Sequence, residues 1–323
     1  MKAIIHDRYG SPDVLELQEV EKPDVTDDGV LVRVRAASVN PADWYGMTGI
    51  PYVGRALMGL FKPKQRVLGV DFAGTVEAVG EDITEFRPGD DVFGGRSGAF
   101  AEYVCVREER AVVPKPANVT FEQAAAVPIA ALTALQGLRD KGQLQPGQRV
   151  LINGASGGVG TFAVQIAKVL GAEVTGVCST RNVDLVRSLG ADHVVDYTCE
   201  DFTRSDRRYD LLLDVAGSRS WSECKRVLEP HATLVVVGAP KGNRLIGPLS
   251  HVVKLRLASV PSSQKAVFFI AKFNKPDMVV PQELLEAGKV TPVIDRRYEL
   301  SEAADALRYL GEGHAQGKVV ITV

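Results

Sequence analysis

Cysteine is scarce in this chain: Cys105, Cys178, Cys199 and Cys224 are the four, scattered with no C-x-x-C pair among them. That spacing excludes a disulfide scaffold and a cysteine-rich zinc site. Histidine is nearly as rare, and the five present (His6, His193, His231, His251, His314) show no ligand spacing with one another or with a cysteine. A catalytic zinc needs about three protein ligands of Cys, His or carboxylate type, so no metal is expected. Neither sign of charge prevails. With 38 bases against 40 acids the net charge is −2, which gives no general attraction to nucleic acid or to an anionic membrane. The longest apolar run, 124–135, contains Pro128 and Thr133 and is too short to cross a bilayer. The opening residues meet charge at Lys2 and Asp7, too soon for a secretory apolar segment. Repeats and low-complexity tracts are missing, which excludes solenoids and propellers. The expectation is a soluble protein of a reducing compartment, the cytoplasm.

What is there is ordinary globular material, 323 residues with 45% apolar and 24% charged side chains, enough for about two domains. The first third reads as β. Segments 14–20 and 30–35 alternate apolar and polar residues, and strand-like runs follow at 72–79, 91–93 and 100–106. Pro23, Gly29, Pro88-Gly89 and Gly94-Gly95 punctuate them, as a compact barrel of short strands requires. Thr120 and Gln123 then offer a capping box before an Ala-rich helical run to Leu138. From Arg149 onward strands and helices alternate. The strand runs 150–152, 173–178, 193–195, 211–213 and 234–237 are nearly continuous in apolar residues, the pattern of a parallel sheet covered on both faces. Helices are expected near 159–170, 184–189 and 221–228. Past Ala271 the pieces are short again: helices around 278–287 and 301–310, then a strand at 319–323.

The strongest chemical signal is Asn153-Gly154-Ala155-Ser156-Gly157-Gly158-Val159-Gly160, set between a strand and a helix. In the G-x-G-x-x-G frame Ala155 replaces the first glycine. Such a loop supplies a tight turn, close approach of backbone to a pyrophosphate, and helix N-terminal amides that face the phosphates. Dinucleotide binding is the reading.

Further stretches carry a resemblance. Ser38-Val39-Asn40-Pro41-Ala42-Asp43-Trp44, Leu68-Gly69-Val70-Asp71-Phe72-Ala73-Gly74, Pro88-Gly89-Asp90-Asp91-Val92, the 154–160 loop and Gly317-Lys318-Val319-Val320 occur in the order found in medium-chain dehydrogenases/reductases. The chain resembles the zinc-independent, quinone oxidoreductase-like members of that superfamily over nearly its whole length. The resemblance implies an α/β fold: a Rossmann doubly wound parallel sheet plus an N-terminal GroES-like β-barrel domain. It implies a GroES-like catalytic domain over 1–123, a Rossmann NADPH-binding domain over 124–270, and a segment 271–323 that returns to the first. Metal-dependent relatives carry a catalytic cysteine where this chain has Asn40, and Gly-His-Glu where it has Gly69-Val70-Asp71.

Without a metal, the acceptor must need no Lewis acid. A quinone or an α,β-unsaturated carbonyl fits, because hydrogen-bond donors can stabilise the oxyanion that hydride addition leaves. Asn40, Tyr45 and Tyr52 resemble positions that line the family's nicotinamide cleft; Asn40-Pro41 is equally a turn signal, Asp43 a cap, and the tyrosines half-buried aromatics. Thr133 resembles a residue of the family's nicotinamide-side helix and is either a carboxamide partner or a packing threonine. NADPH is expected over NADH. After the second strand come Ser179, Thr180 and Arg181, with no acid before Asp184, so hydroxyls and a guanidinium await a 2′-phosphate. Tyr197 resembles a family position that reaches the same group. Segment 46–66, apolar and ending in Lys62, Lys64 and Arg66, is a lid, a surface that leans on a membrane, or an ordinary packed loop. The run 266–271 resembles the family's last Rossmann strand, whose edge commonly pairs with its twin, and a homodimer is expected. The rival readings are a non-catalytic cofactor-binding protein, crystallin-like or nucleic-acid-binding, and a reductive step in a biosynthetic pathway.

Overall fold

The structure is a computed structural model that describes residues 1–239 and 244–323. The chain divides into two compact units, Met1–Leu132 with Lys272–Val323, and Thr133–Ala271. The first divide falls later than residue 123. Helix Phe121–Ala125 packs on the strands Gly29–Val39 and Asp71–Val79, and so stays with the first unit.

In that unit a seven-stranded sheet is built around Gly29–Val39. This long strand pairs antiparallel with Asp71–Val79, with Tyr103–Arg107 and with Lys318–Thr322. Its buried positions include Val30, Val32, Val34, Ala37 and Val39, which join Phe72, Val76, Val92, Phe100, Leu307 and Ile321 in one apolar cluster. Short antiparallel strands closing on such a cluster make the GroES-like domain. Strand Lys318–Thr322 therefore brings the end of the sequence onto its first third.

The second unit carries six strands in the spatial order His193–Asp196, Glu173–Cys178, Arg149–Asn153, Tyr209–Asp214, Leu228–Val236, Lys265–Phe268. Every pairing is parallel. In sequence rank this order is 3-2-1-4-5-6, the doubly wound Rossmann arrangement, which reverses beside Arg149–Asn153 and opens a crevice at the carboxyl ends of the strands there. Val150, Leu151, Ile152, Leu212 and Leu213 are fully buried, as strands covered on both faces must be.

Several expectations shift. The Ala-rich helix breaks into Phe121–Ala125, Pro128–Leu135 and a π-helical turn Gln136–Lys141; the first break falls where Pro128 has no amide to continue the helix. The run expected at 266–271 forms a strand over Lys265–Phe268, at the edge of its sheet. Helix Leu249–Ser259 and strand Ile294–Glu299 are additions to the reading above. Among the described residues no helix is long and apolar enough to cross a membrane.

Candidate active site

The second unit places the glycine loop at the point where strand order reverses. Strand Arg149–Asn153 ends in the loop, and helix Gly158–Val169 begins with Gly157 as its N-cap. The amides of Gly154 and Ala155 donate to the Val177 carbonyl at 3.2 and 3.0 Å, which ties the loop to the neighbouring strand. Ser156 Oγ accepts from Asn182 Nδ2 at 2.9 Å. A Cβ on Gly160 would lie 2.1 Å from the Gly154 carbonyl oxygen, so only glycine lets the helix approach this closely. A Cβ on Gly157 would meet nothing nearer than that oxygen at 3.6 Å. The loop is thus closed on its helix side and open at Gly157, the side from which a pyrophosphate would approach. Helix geometry leaves the amides of Gly158, Val159 and Gly160 without intrahelical partners, aimed at such an anion.

Ser179, Thr180, Arg181 and Tyr197 come together at the ends of the adjacent strands. The Tyr197 amide donates to the Cys178 carbonyl at 3.0 Å, and its ring is 56% exposed. The structure also brings in an acid. Parallel pairing sets Asp196 opposite Cys178, and Thr180 Oγ1 donates to Asp196 Oδ2 at 2.6 Å. Thr198 gives the same carboxylate its amide and its hydroxyl. These hydroxyls hold Asp196 down at about 2. Thr180 is therefore corrected as a phosphate donor: it has one hydroxyl proton, and Asp196 takes it. A second acid, the buried Asp214, closes the other side of the crevice by accepting from Asn153 Nδ2 and from the Gly217 amide, each at 2.8 Å. Burial pushes its carboxyl up. Thr133 lies in the second turn of Pro128–Leu135 and is half-buried.

In the first unit the structure corrects Asn40. The residue is 2% exposed, and its polar atoms are engaged by the protein. Nδ2 donates to Asp71 Oδ2 at 2.9 Å and to the Ser38 carbonyl at 3.1 Å, and Oδ1 accepts from Lys318 Nζ. Both side-chain protons are thus taken within the protein. Asp71 also accepts from Ser38 Oγ and from the Ile129 amide, and Lys318 Nζ stands 3.5 Å from its Oδ2. Burial raises the Asp71 carboxyl and lowers the Lys318 ammonium, while each charge counters the shift of the other. The positions that match metal ligands in metal-dependent relatives, residue 40 and the 69–71 triplet, thus hold the chain's own cation. Asp43, on the first turn of Pro41–Thr48, accepts from the Asn40 amide at 2.8 Å, and burial raises its carboxyl to about 7.

Tyr45 lies on the same helix, half-buried, with its phenol raised by desolvation. Tyr52 opens the next short turn and is 39% exposed; the Arg55 guanidinium lies over its ring at 4.6 Å and over Tyr9 at 4.3 Å. The two tyrosines remain the phenol donors of this unit that the sequence singled out. Asp196 and Asp214 escaped sequence reasoning, and Lys318 entered it only within a matching stretch, with no role attached. Each acquires its distant partner through strand pairing, and the one local signal was an acid or base at the end of an apolar strand. Among the described residues no group of three or more His, Cys, Asp or Glu side chains could hold a metal ion.

Comparison with known proteins agrees with this geometry. Residues 26–117 match the alcohol dehydrogenase GroES-like domain, and residues 189–321 match a family described as zinc-binding dehydrogenase. The chain is 35% identical to the 2-methylene-furan-3-one reductase of Solanum lycopersicum, over 99% of this chain and 79% of that protein. It is 34% identical to the chloroplastic NADPH-dependent alkenal/one oxidoreductase of Arabidopsis thaliana, with the same shares covered. The quinone oxidoreductase structure from Coxiella burnetii superposes with a TM-score of 0.87 at 31% identity, covering 100% of this chain and 99% of the other. A fold of this topology, a glycine loop at its switch point and relatives of this likeness make the chain a member of the medium-chain dehydrogenase/reductase superfamily, in its zinc-independent, quinone oxidoreductase-like branch.

Proposed function

We propose that this protein is a metal-free oxidoreductase that transfers hydride from NADPH to a quinone or an α,β-unsaturated carbonyl. The observation that carries the reading is the 154–160 loop at the switch point, closed at Gly160 and open at Gly157. A bound dihydronicotinamide would supply the hydride. The protein's own groups do the rest. The loop and the first amides of Gly158–Val169 bind the pyrophosphate, and Thr133 orients the carboxamide. Tyr45, kept protonated by burial, donates to the oxyanion of the reduced acceptor, and Tyr52 assists. Asn40, Asp71 and Lys318 hold the backbone from which helix Pro41–Thr48 starts, and so set where Tyr45 points. The relatives reported above are named for enone, alkenal and quinone substrates, which supports this acceptor class.

NADPH is the cofactor we infer, with Ser179, Arg181 and Tyr197 as its 2′-phosphate contacts. The name of the Arabidopsis relative supports the choice. Asp196 works against it, and the guanidinium of Arg181 must outweigh that carboxylate. We also infer a homodimer joined along strand Lys265–Phe268.

The test is steady-state oxidation of NADPH with a panel of quinones and enones, with and without a strong chelator. Turnover that is insensitive to the chelator is expected, and oxidation with no acceptor of either class would refute the reading. Losing a charge-assisted contact costs about 1.5–3 kcal/mol, so Arg181→Ala should weaken NADPH about ten- to a hundredfold and leave NADH almost unchanged. Equal losses for both cofactors would remove Arg181 from the phosphate site.

A further inference from the structure

From Trp44 to Val70 the sequence contains no Asp or Glu, yet it contains Arg55, Lys62, Lys64 and Arg66. The structure shows what this acid-free stretch presents. The 3-10 turn Tyr52–Gly54 runs into the short helix Arg55–Met58, and the chain then turns back at Gly59. Leu57 is 83% exposed, Leu60 61% and Phe61 89%. Three large apolar side chains so close in sequence cannot belong to an ordinary packed loop.

The backbone beneath them is pinned. The Gly59 amide donates to the Arg55 carbonyl and the Lys64 amide to the Met58 carbonyl, each at 2.8 Å, while Tyr9 Oη donates to the Gly59 carbonyl at 2.7 Å. Pro63 is buried between the exposed Lys62 and Lys64. Arg66 pairs with Asp7, and Arg55 is taken by the Gly49 carbonyl and the two tyrosine rings. Lys62 and Lys64 have no ion pair among the described residues. Asp7 is the acid whose field reaches Lys62. The result is a fixed apolar knob with two lysines at its base.

We propose that residues 57–64 are a docking surface for an anionic lipid bilayer. Leu57, Leu60 and Phe61 enter the acyl boundary while Lys62 and Lys64 stay at the headgroup level, the arrangement of interfacial segments that do not span. Charge decides the occupant. A second copy meeting this patch with its own residues 44–70 would offer the lysines no carboxylate, whereas anionic headgroups complement them.

The experiment is co-sedimentation of the intact protein with vesicles of phosphatidylcholine alone, or of phosphatidylcholine mixed with phosphatidylglycerol, at low and high salt. Binding to the mixed vesicles that high salt reverses is expected, with little binding to phosphatidylcholine. Lys62→Gln and Lys64→Gln should each reduce the partition coefficient about fivefold. Phe61→Ser should weaken binding further, with an unchanged melting temperature because the ring leaves the core untouched. No binding to either vesicle, equal binding to both, or variants that bind like the wild type would overturn the proposal. So would light scattering in which Phe61→Ser dissolves a dimer, since the patch would then belong to a second copy. No cofactor enters the assay, so the outcome is independent of the reductase reading.

Discussion

Lys318 and Asp71 are the two residues on which the first unit has most to lose. Both are buried, at 3% and 0% exposure, and Asp71 gathers donors from Ser38, Asn40 and Ile129 besides the ammonium. Removing one partner of a buried pair leaves the other charge uncompensated, which costs about 3–5 kcal/mol. Lys318→Met should therefore lower stability by that amount in a urea titration. Adding Asp71→Asn to it should recover part of the loss, and losses that simply add would show that the two groups are not coupled. Asp43 makes a prediction in pH. Its carboxyl rises from 3.8 in the unfolded chain to about 7 in the fold, so the native state holds that proton more tightly. The stability it contributes is complete below pH 3.8 and is lost as pH climbs through about 7. Asp43→Asn keeps an oxygen to accept the Asn40 amide and removes the titration. Relative to wild type, the variant should gain up to about 1.4 kcal/mol per pH unit across that window. Parallel stability curves from pH 4 to 7 would count against it.

At the scale of elements, periodicity and caps disclosed most of the architecture. The buried strands of the parallel sheet announced themselves as apolar runs, and Thr120 does cap its helix, accepting from the Gln123 amide at 3.2 Å. Other elements stayed hidden for physical reasons. Helix Leu249–Ser259 leaves Leu249, Val253 and Leu257 exposed, so its apolar residues draw no single stripe toward a core. Strand Ile294–Glu299 is mostly polar, and its pairing with Lys318–Thr322 comes from tertiary structure. The site follows the same division. The glycine loop was legible because one contiguous stretch does its work. Asn40 misled because a polar residue at a strand end has the same local pattern whether it faces a ligand or a buried lysine. Asp196 was missed because it is 16 residues from Thr180 in sequence and meets it only when the strands pair.

At the scale of the molecule, the six-stranded sheet ends at Lys265–Phe268, and among the described residues no further strand pairs with its outer edge. Beside that edge Leu257, Val260 and Ile270 are 66%, 74% and 80% exposed. An apolar edge of this kind is an aggregation hazard unless another strand covers it. A twin strand about a two-fold axis is the occupant we propose, and light scattering at micromolar concentration should give twice the 34.8 kDa chain mass. Ile270→Asp should shift the population to monomer, whereas a wild-type monomer would end the proposal.

The first unit is assembled from two stretches of chain, with the whole of Thr133–Ala271 spliced between them. That splicing imposes an order in time. On the ribosome, Ser38, Asn40 and Asp71 emerge long before Lys318, and until then the aspartate has no countercharge to be buried with. The Rossmann unit has all its strands in one continuous segment and can close first, since domains fold as units during synthesis. The GroES-like unit must wait, its longest strand held open until Lys318–Thr322 arrives to pair with it. A nascent chain ending at residue 271 and tethered to the ribosome by a linker long enough to bring that residue outside would carry a protease-resistant second unit and a protease-sensitive first one, although the first was made earlier.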